Sequence, residues 1–141
     1  MLLVVDNGSV YTQSLIEFLE KKKIQFERKT SHFFDLNSLK NYNSIIFNNK
    51  DIGLPIDLTL CVTIRKTSPQ KGDEIVEILK ENSIFNDSLN VFESHSFEIA
   101  KLPKSLVTLG KSKNCRYEII QYENKHIYGT QFHPEMSQNG N

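Results

Sequence analysis

The sequence predicts an α/β fold: one mixed-sheet domain, parallel in its N-terminal half and extended by antiparallel strands in its C-terminal half. Three observations lead there. The first fifty residues alternate short apolar runs with a helical-period segment. After Lys50 the helical period fades, and strand-like runs follow one another with turn residues between them. The chain has 141 residues, enough for one core and too few for two.

Each element follows from its residues. Leu2-Leu3-Val4-Val5 is an unbroken apolar run ending at Asp6-Asn7-Gly8, as expected of a strand buried on both faces that stops at a turn. From Tyr11 to Lys22, the positions Tyr11, Leu15, Phe18 and Leu19 recur at helical spacing. Ser9 or Thr12 is placed to cap that helix, and Lys21, Lys22 and Lys23 favour the negative end of its dipole. Ile24, Phe26 and Arg28 alternate with polar neighbours as a second strand. Leu36 to Tyr42 is read as a short helical connection to a third strand at Ser44-Ile45-Ile46-Phe47. Parallel strands joined this way bind ligands beyond their carboxyl ends, which places Asp6 to Ser9 and Asn48 to Asp51 on the functional edge. Further strands are expected at 61–64, 75–79, 89–92, 106–109, 117–122 and 126–132. Asn86-Asp87 and Glu123-Asn124 serve as turns, and the polar stretch Lys66 to Asp73 as a loop.

Composition excludes several classes. Lys plus Arg and Asp plus Glu both count 17, so no bulk positive field draws the chain to nucleic acid or an anionic membrane. The nine phenylalanines fall mostly at core-facing positions rather than on a stacking platform for bases. No apolar run approaches membrane-spanning length and no export signal opens the chain, so a cytoplasmic location is expected. Cys61 and Cys115 lack C-x-x-C spacing, and the four histidines lack neighbours at ligand spacing. Neither a disulfide framework, a metal site nor a cofactor is indicated. His32 and His126 read as surface or loop residues, and His95 as a packed strand residue.

The chemistry concentrates near the C-terminus. In Tyr128-Gly129-Thr130-Gln131-Phe132-His133-Pro134-Glu135 a strand leads into a histidine and a carboxylate two residues apart. Extended backbone projects such residues to one side, and Pro134 biases His133 toward that geometry. Neutral imidazole can take a proton from a thiol or hydroxyl while the carboxylate holds its other nitrogen. The nucleophile is not evident.

That run resembles the YG-x-QFHPE signature of class I, or triad, glutamine amidotransferases. Val91-Phe92-Glu93-Ser94-His95-Ser96-Phe97-Glu98 is similar to the V-W-x-SH-x-x-E segment of the GMP synthetase glutaminase domain, and Ser112 to Glu118 to that family's S-x-x-C-x-x-E. Val4-Val5-Asp6-Asn7-Gly8 with Tyr11 resembles its VVDN-x-x-x-Y opening. The matches run in order over residues 1–50 and 74–136, and within the family they resemble the glutaminase subunit of two-subunit GMP synthetases. The resemblance implies a flavodoxin-like mixed sheet and glutamine as the substrate class. It also implies a partner ATP-pyrophosphatase subunit that receives ammonia to aminate XMP. His133 corresponds to the base, Glu135 to its orienting acid, and Ser96 with Phe97 to the stretch that holds glutamine.

The sequence departs from that pattern at the nucleophile. The family places its cysteine in G-x-C-x-G, a strained turn whose glycines let the backbone bend. Here Cys61 lies in Leu60-Cys61-Val62-Thr63, among residues that favour a strand, and Cys115 in Asn114-Cys115-Arg116, with Arg116 placed to lower its pKa. The expected glycine-rich turn after the third strand is replaced by Asn48-Asn49-Lys50-Asp51. Between Asp51 and Glu74 the chain is too short for the turn strand and its helix, and no final helix follows Met136. The reading is therefore a single truncated domain over 1–136 with a tail over 137–141. Uncovered sheet surface would favour a homo-oligomer or a complex. Two functions remain: a non-catalytic binding module, or an active glutaminase using Cys61 or Cys115.

Overall fold

The computed structural model describes residues 1–30, 41–49, 62–85, 87–124 and 128–137. Leu2–Asn7 (β1), Phe26–Thr30 (β2) and Ser44–Asn49 (β3) form a parallel sheet of order β2-β1-β3. The central place of β1 explains its unbroken apolar run, since Leu3, Val4 and Val5 are all buried. Thr12–Lys21 (α1) crosses from β1 to β2 and lays Leu15, Ile16 and Leu19 on Val4, with Phe26 and Ile46 closing the cluster. The β1 turn needs Gly8, whose φ of +78° is readily reached only without a Cβ. At the other end Lys23 takes the left-handed conformation, φ 55°, so that the amide of Ile24 reaches back to the carbonyl of Leu19 at 3.0 Å.

The remaining strands are Thr63–Ile78 (β4), Leu89–Lys101 (β5), Leu106–Lys111 (β6), Ile119–Tyr122 (β7) and Tyr128–Thr130 (β8). They pair antiparallel in the order β5-β4-β6-β7-β8. One cluster, Val76, Val91, Leu109, Ile119 and Phe132, fills one part of this sheet, and Val62, Ile99, Leu106 and Ile120 fill another. Asn124 adopts φ 59° between β7 and β8, as the Glu123-Asn124 turn requires.

Two expectations are corrected. The halves do not form one mixed sheet: among the described residues the edges of β1 are taken by β2 and β3, and no strand joins that sheet to the antiparallel one. The polar stretch Lys66 to Asp73 is not a loop but the middle of β4. It pairs with β5 from Lys66 opposite Phe97 and from Gln70 opposite His95, with an irregularity at 67–69 that accommodates Pro69. Its polarity reflects a two-stranded ribbon facing water, not a break in the strand. Beyond Glu77 and Ile78, which pair with β6, the outer edge of β4 carries no partner strand among the described residues. The helical connection read over 36–42 and residues His32, His126, Lys50 and Asp51 lie outside the described residues, apart from the last positions of that connection, 41 and 42.

Candidate active site

The strand β8 delivers His133 into a short 3-10 turn, Pro134–Met136. His133 itself is extended, with φ −95° and ψ 96°, the geometry that the following proline favours. Its Nδ1 stands 3.0 Å from Glu135 Oε1, and Glu135 is almost wholly buried, its side chain 3% exposed. A carboxylate there holds the Nδ1 proton, leaving Nε2 as the atom able to accept one. The two side chains singled out in the sequence are thus within hydrogen-bond reach of each other.

The backbone of the pair is fastened to β5. The His133 amide donates to the Phe92 carbonyl at 3.0 Å. Ser137, 3% exposed, donates its hydroxyl to the His133 carbonyl at 2.7 Å and accepts from the Phe92 amide at 3.0 Å. No motif singles out Ser137; a serine three residues after a proline carries no signal of a tertiary clasp. Ser137→Ala leaves the Phe92 amide and the His133 carbonyl without that partner. It is expected to cost about 1–3 kcal/mol, measured by denaturant unfolding. Gln131 adds a further tie, donating from Nε2 to the Phe97 carbonyl at 3.2 Å.

Tyr11, at the start of α1, completes the surroundings of His133. Its ring is tilted over the imidazole with centroids 4.3 Å apart, meets Phe92 edge-on at 6.0 Å, and its hydroxyl lies 3.2 Å from Ser94 Oγ. These contacts bring the start of α1, just past the carboxyl end of β1, against His133 and β5. The loop is held by Asp6, which accepts from the Gly8 amide, the Thr12 hydroxyl and the Arg28 guanidinium. Burial raises the Asp6 pKa, but the bonds from Arg28, Gly8 and Thr12 outweigh it and leave the carboxyl below its usual value. Ser96 and Phe97 both lie on β5. Strand alternation puts Ser96 on the face of Phe92 and Ser94, about 13 Å along the strand from Phe92.

Cys115 is 3% exposed in the turn between β6 and β7, its amide donating to Ser112 Oγ at 3.0 Å. Burial, then the nearby Glu118 carboxyl, push its thiol far above the ordinary range, so the thiolate needed for attack does not form at neutral pH. Arg116 does not relieve this, because its guanidinium lies over the Tyr117 ring at 5.3 Å instead. Cys61 lies outside the described residues. Beside Cys115 is a buried acidic group. Glu118 is 1% exposed, and burial, followed by the charge of Glu93, raises its pKa to about 9. His95 Nε2 approaches Glu93 Oε2 to 2.9 Å without hydrogen-bond alignment, and both side chains are buried, as the packed reading of His95 expects. Among the described residues no three His, Cys, Asp or Glu side chains are grouped to hold a metal ion, and no helix is long and apolar enough to cross a membrane.

The site thus pairs a histidine with a buried carboxylate at the end of the antiparallel sheet, with Tyr11 from the start of α1 against the imidazole. The chain belongs to the class-I glutamine amidotransferase family, whose model matches residues 58–141. It is 31% identical to a glutamine-hydrolyzing GMP synthase subunit of Methanocaldococcus jannaschii, covering 97% of this chain and 89% of that protein. That alignment runs over 171 positions, 30 more than this chain has, so the relative carries residues inside the matched span that are missing here. The corresponding GMP synthase subunit of Thermococcus kodakarensis is 31% identical over 73% of this chain, and the chain spans only 62% of its length. Among solved structures, a GMP synthase subunit protein from Thermoplasma acidophilum superposes with a TM-score of 0.82 at 20% identity. The match covers 99% of this chain and 87% of that one. A glutamine amido transferase from Methylobacillus flagellatus gives 0.67 at 13% identity, covering 99% and 72%. These likenesses establish the fold.

Proposed function

We propose that this chain is a glutamine amidotransferase-family module that binds rather than hydrolyses. It docks on the ATP-pyrophosphatase subunit of a cytoplasmic synthetase and keeps the His133–Glu135 corner without releasing ammonia from glutamine. One observation carries the reading: Cys115 is buried with its thiol pushed far up, while Cys61 lacks the flanking glycines of the family's turn. Where the family's turn has glycines on either side of its cysteine, Cys61 has Thr59 and Thr63, β-branched residues that resist the positive φ of a sharp elbow. Cys115 is the buried, protonated thiol described above. A base without a nucleophile has no acyl transfer to perform. The likeness to GMP synthase subunits supports the choice of partner, and glutamine remains the ligand class that Ser96 and Phe97 would meet.

The test is ammonia release from glutamine by the purified chain, by itself and with the ATP-pyrophosphatase subunit of its host. No turnover above buffer is expected, no covalent adduct with a thiol-directed glutamine analogue, and co-elution with the synthetase subunit. Turnover that Cys61→Ser abolishes would overturn the reading.

A further inference from the structure

Tyr11 is the residue whose placement the base and its acid do not account for. Glu135 restrains the imidazole at one atom, Nδ1, and a single hydrogen bond leaves the ring free to rock about it. The Tyr11 ring packs against the imidazole, tilted by 55° with centroids 4.3 Å apart, and supplies a second restraint. Tyr11 is itself over-determined. Its hydroxyl lies within hydrogen-bond distance of Ser94, its ring edge meets Phe92, its amide donates to Ser9 Oγ at 3.2 Å, and its loop is pinned by Asp6. Both Phe92 and Ser94 belong to β5, the strand that also fastens the His133 backbone, so ring and imidazole are referenced to one rigid element. An aromatic side chain held this firmly at a half-buried position is not there to fill space alone.

We propose that Tyr11 is the positioning residue of His133: its ring packs tilted against the imidazole, keeps its Nδ1 on Glu135 and so fixes the direction in which Nε2 meets whatever approaches. The inference rests on reading the His133 corner as the site. It makes the site a composite of both sheets, so His133 has its working orientation only while the β1–α1 loop is seated.

Two readouts on the full chain report this without glutamine or a synthetase subunit, so their failure is separate from failure of the binding reading. The first is the nitrogen NMR signature of His133, expected to show a single neutral form protonated at Nδ1. The second is the rate of His133 carbethoxylation by diethyl pyrocarbonate, followed by peptide mass spectrometry and slow in a side chain only 14% exposed. Tyr11→Leu, which keeps apolar volume without an aromatic face, should mix the two neutral forms and raise the carbethoxylation rate severalfold. Tyr11→Phe, which keeps the ring, should restore both wild-type values, and Ser94→Ala should fall between. A folded Tyr11→Leu with an unchanged His133 signature and rate overturns the proposal, as does a Tyr11→Phe that behaves like Tyr11→Leu.

Discussion

Replacing Glu118 by Gln is expected to stabilise the fold, and by more at pH 8 than at pH 5. In the unfolded chain this carboxyl ionises near its ordinary value of 4.5, whereas in the fold burial and Glu93 hold it protonated to about 9. Folding therefore takes up a proton between those values. The stability that the neutral acid allows is fully present below 4.5 and is lost progressively as pH rises toward 9. At pH 7 the accumulated cost is on the order of 3 kcal/mol, and the amide of Gln, which has the same shape and no charge to desolvate, removes it. Denaturant midpoints of both proteins at pH 5, 7 and 8 measure this. A gap that fails to widen with pH would contradict the assignment.

Asp6 is expected to behave with the opposite sign. Its side chain is 9% exposed and accepts from the Gly8 amide at 2.8 Å, the Thr12 hydroxyl at 2.9 Å and Arg28 Nη2 at 2.6 Å. Asp6→Ala strands the buried Thr12 hydroxyl and the Gly8 amide, at a cost of about 2–4 kcal/mol, with the Arg28 share discounted because that side chain is half exposed. Because the folded pKa is depressed, the contribution of the carboxylate is present above its unfolded value of 3.8 and lost as pH falls through the folded one. The gap between wild type and Asp6→Ala should therefore shrink in acid. Asp6→Asn, which retains one acceptor oxygen, should lose less at neutral pH.

The sequence is legible where one physical constraint acts alone. The buried centre strand, the helix period of Leu15 and Leu19, the Asn124 turn and the His133–Glu135 spacing each follow from local chemistry, and each appears as read. It misleads where tertiary pairing overrides local polarity. The stretch from Lys66 to Asp73 carries lysines, a proline and a glycine, yet it is strand because β5 runs beside it for its whole length. The single mixed sheet assumed that the strands of both halves lie side by side, whereas the described strands pair as two separate sheets. Around His133 the pair was visible and its clasp was not. Tyr11 is brought to it from 122 residues away with Ser94 behind it, and Ser137, four residues on, reaches Phe92 45 residues back, by folding alone. Cys115 illustrates a third limit, since a neighbouring Arg116 suggests an activated thiol while the fold spends that arginine on Tyr117 and surrounds the sulfur with acids.

The outer rim of the long ribbon bears on how the protein behaves at high concentration. From Thr63 to Val76 that edge carries no partner strand among the described residues, and such a row of backbone donors and acceptors would ordinarily template another chain, seeding end-to-end fibrils. Pro69 breaks the row of donors midway, Lys66 and Lys71 charge it, and the irregular register around 67–69 bends it out of flatness. These three features oppose the growth of that edge into fibrils.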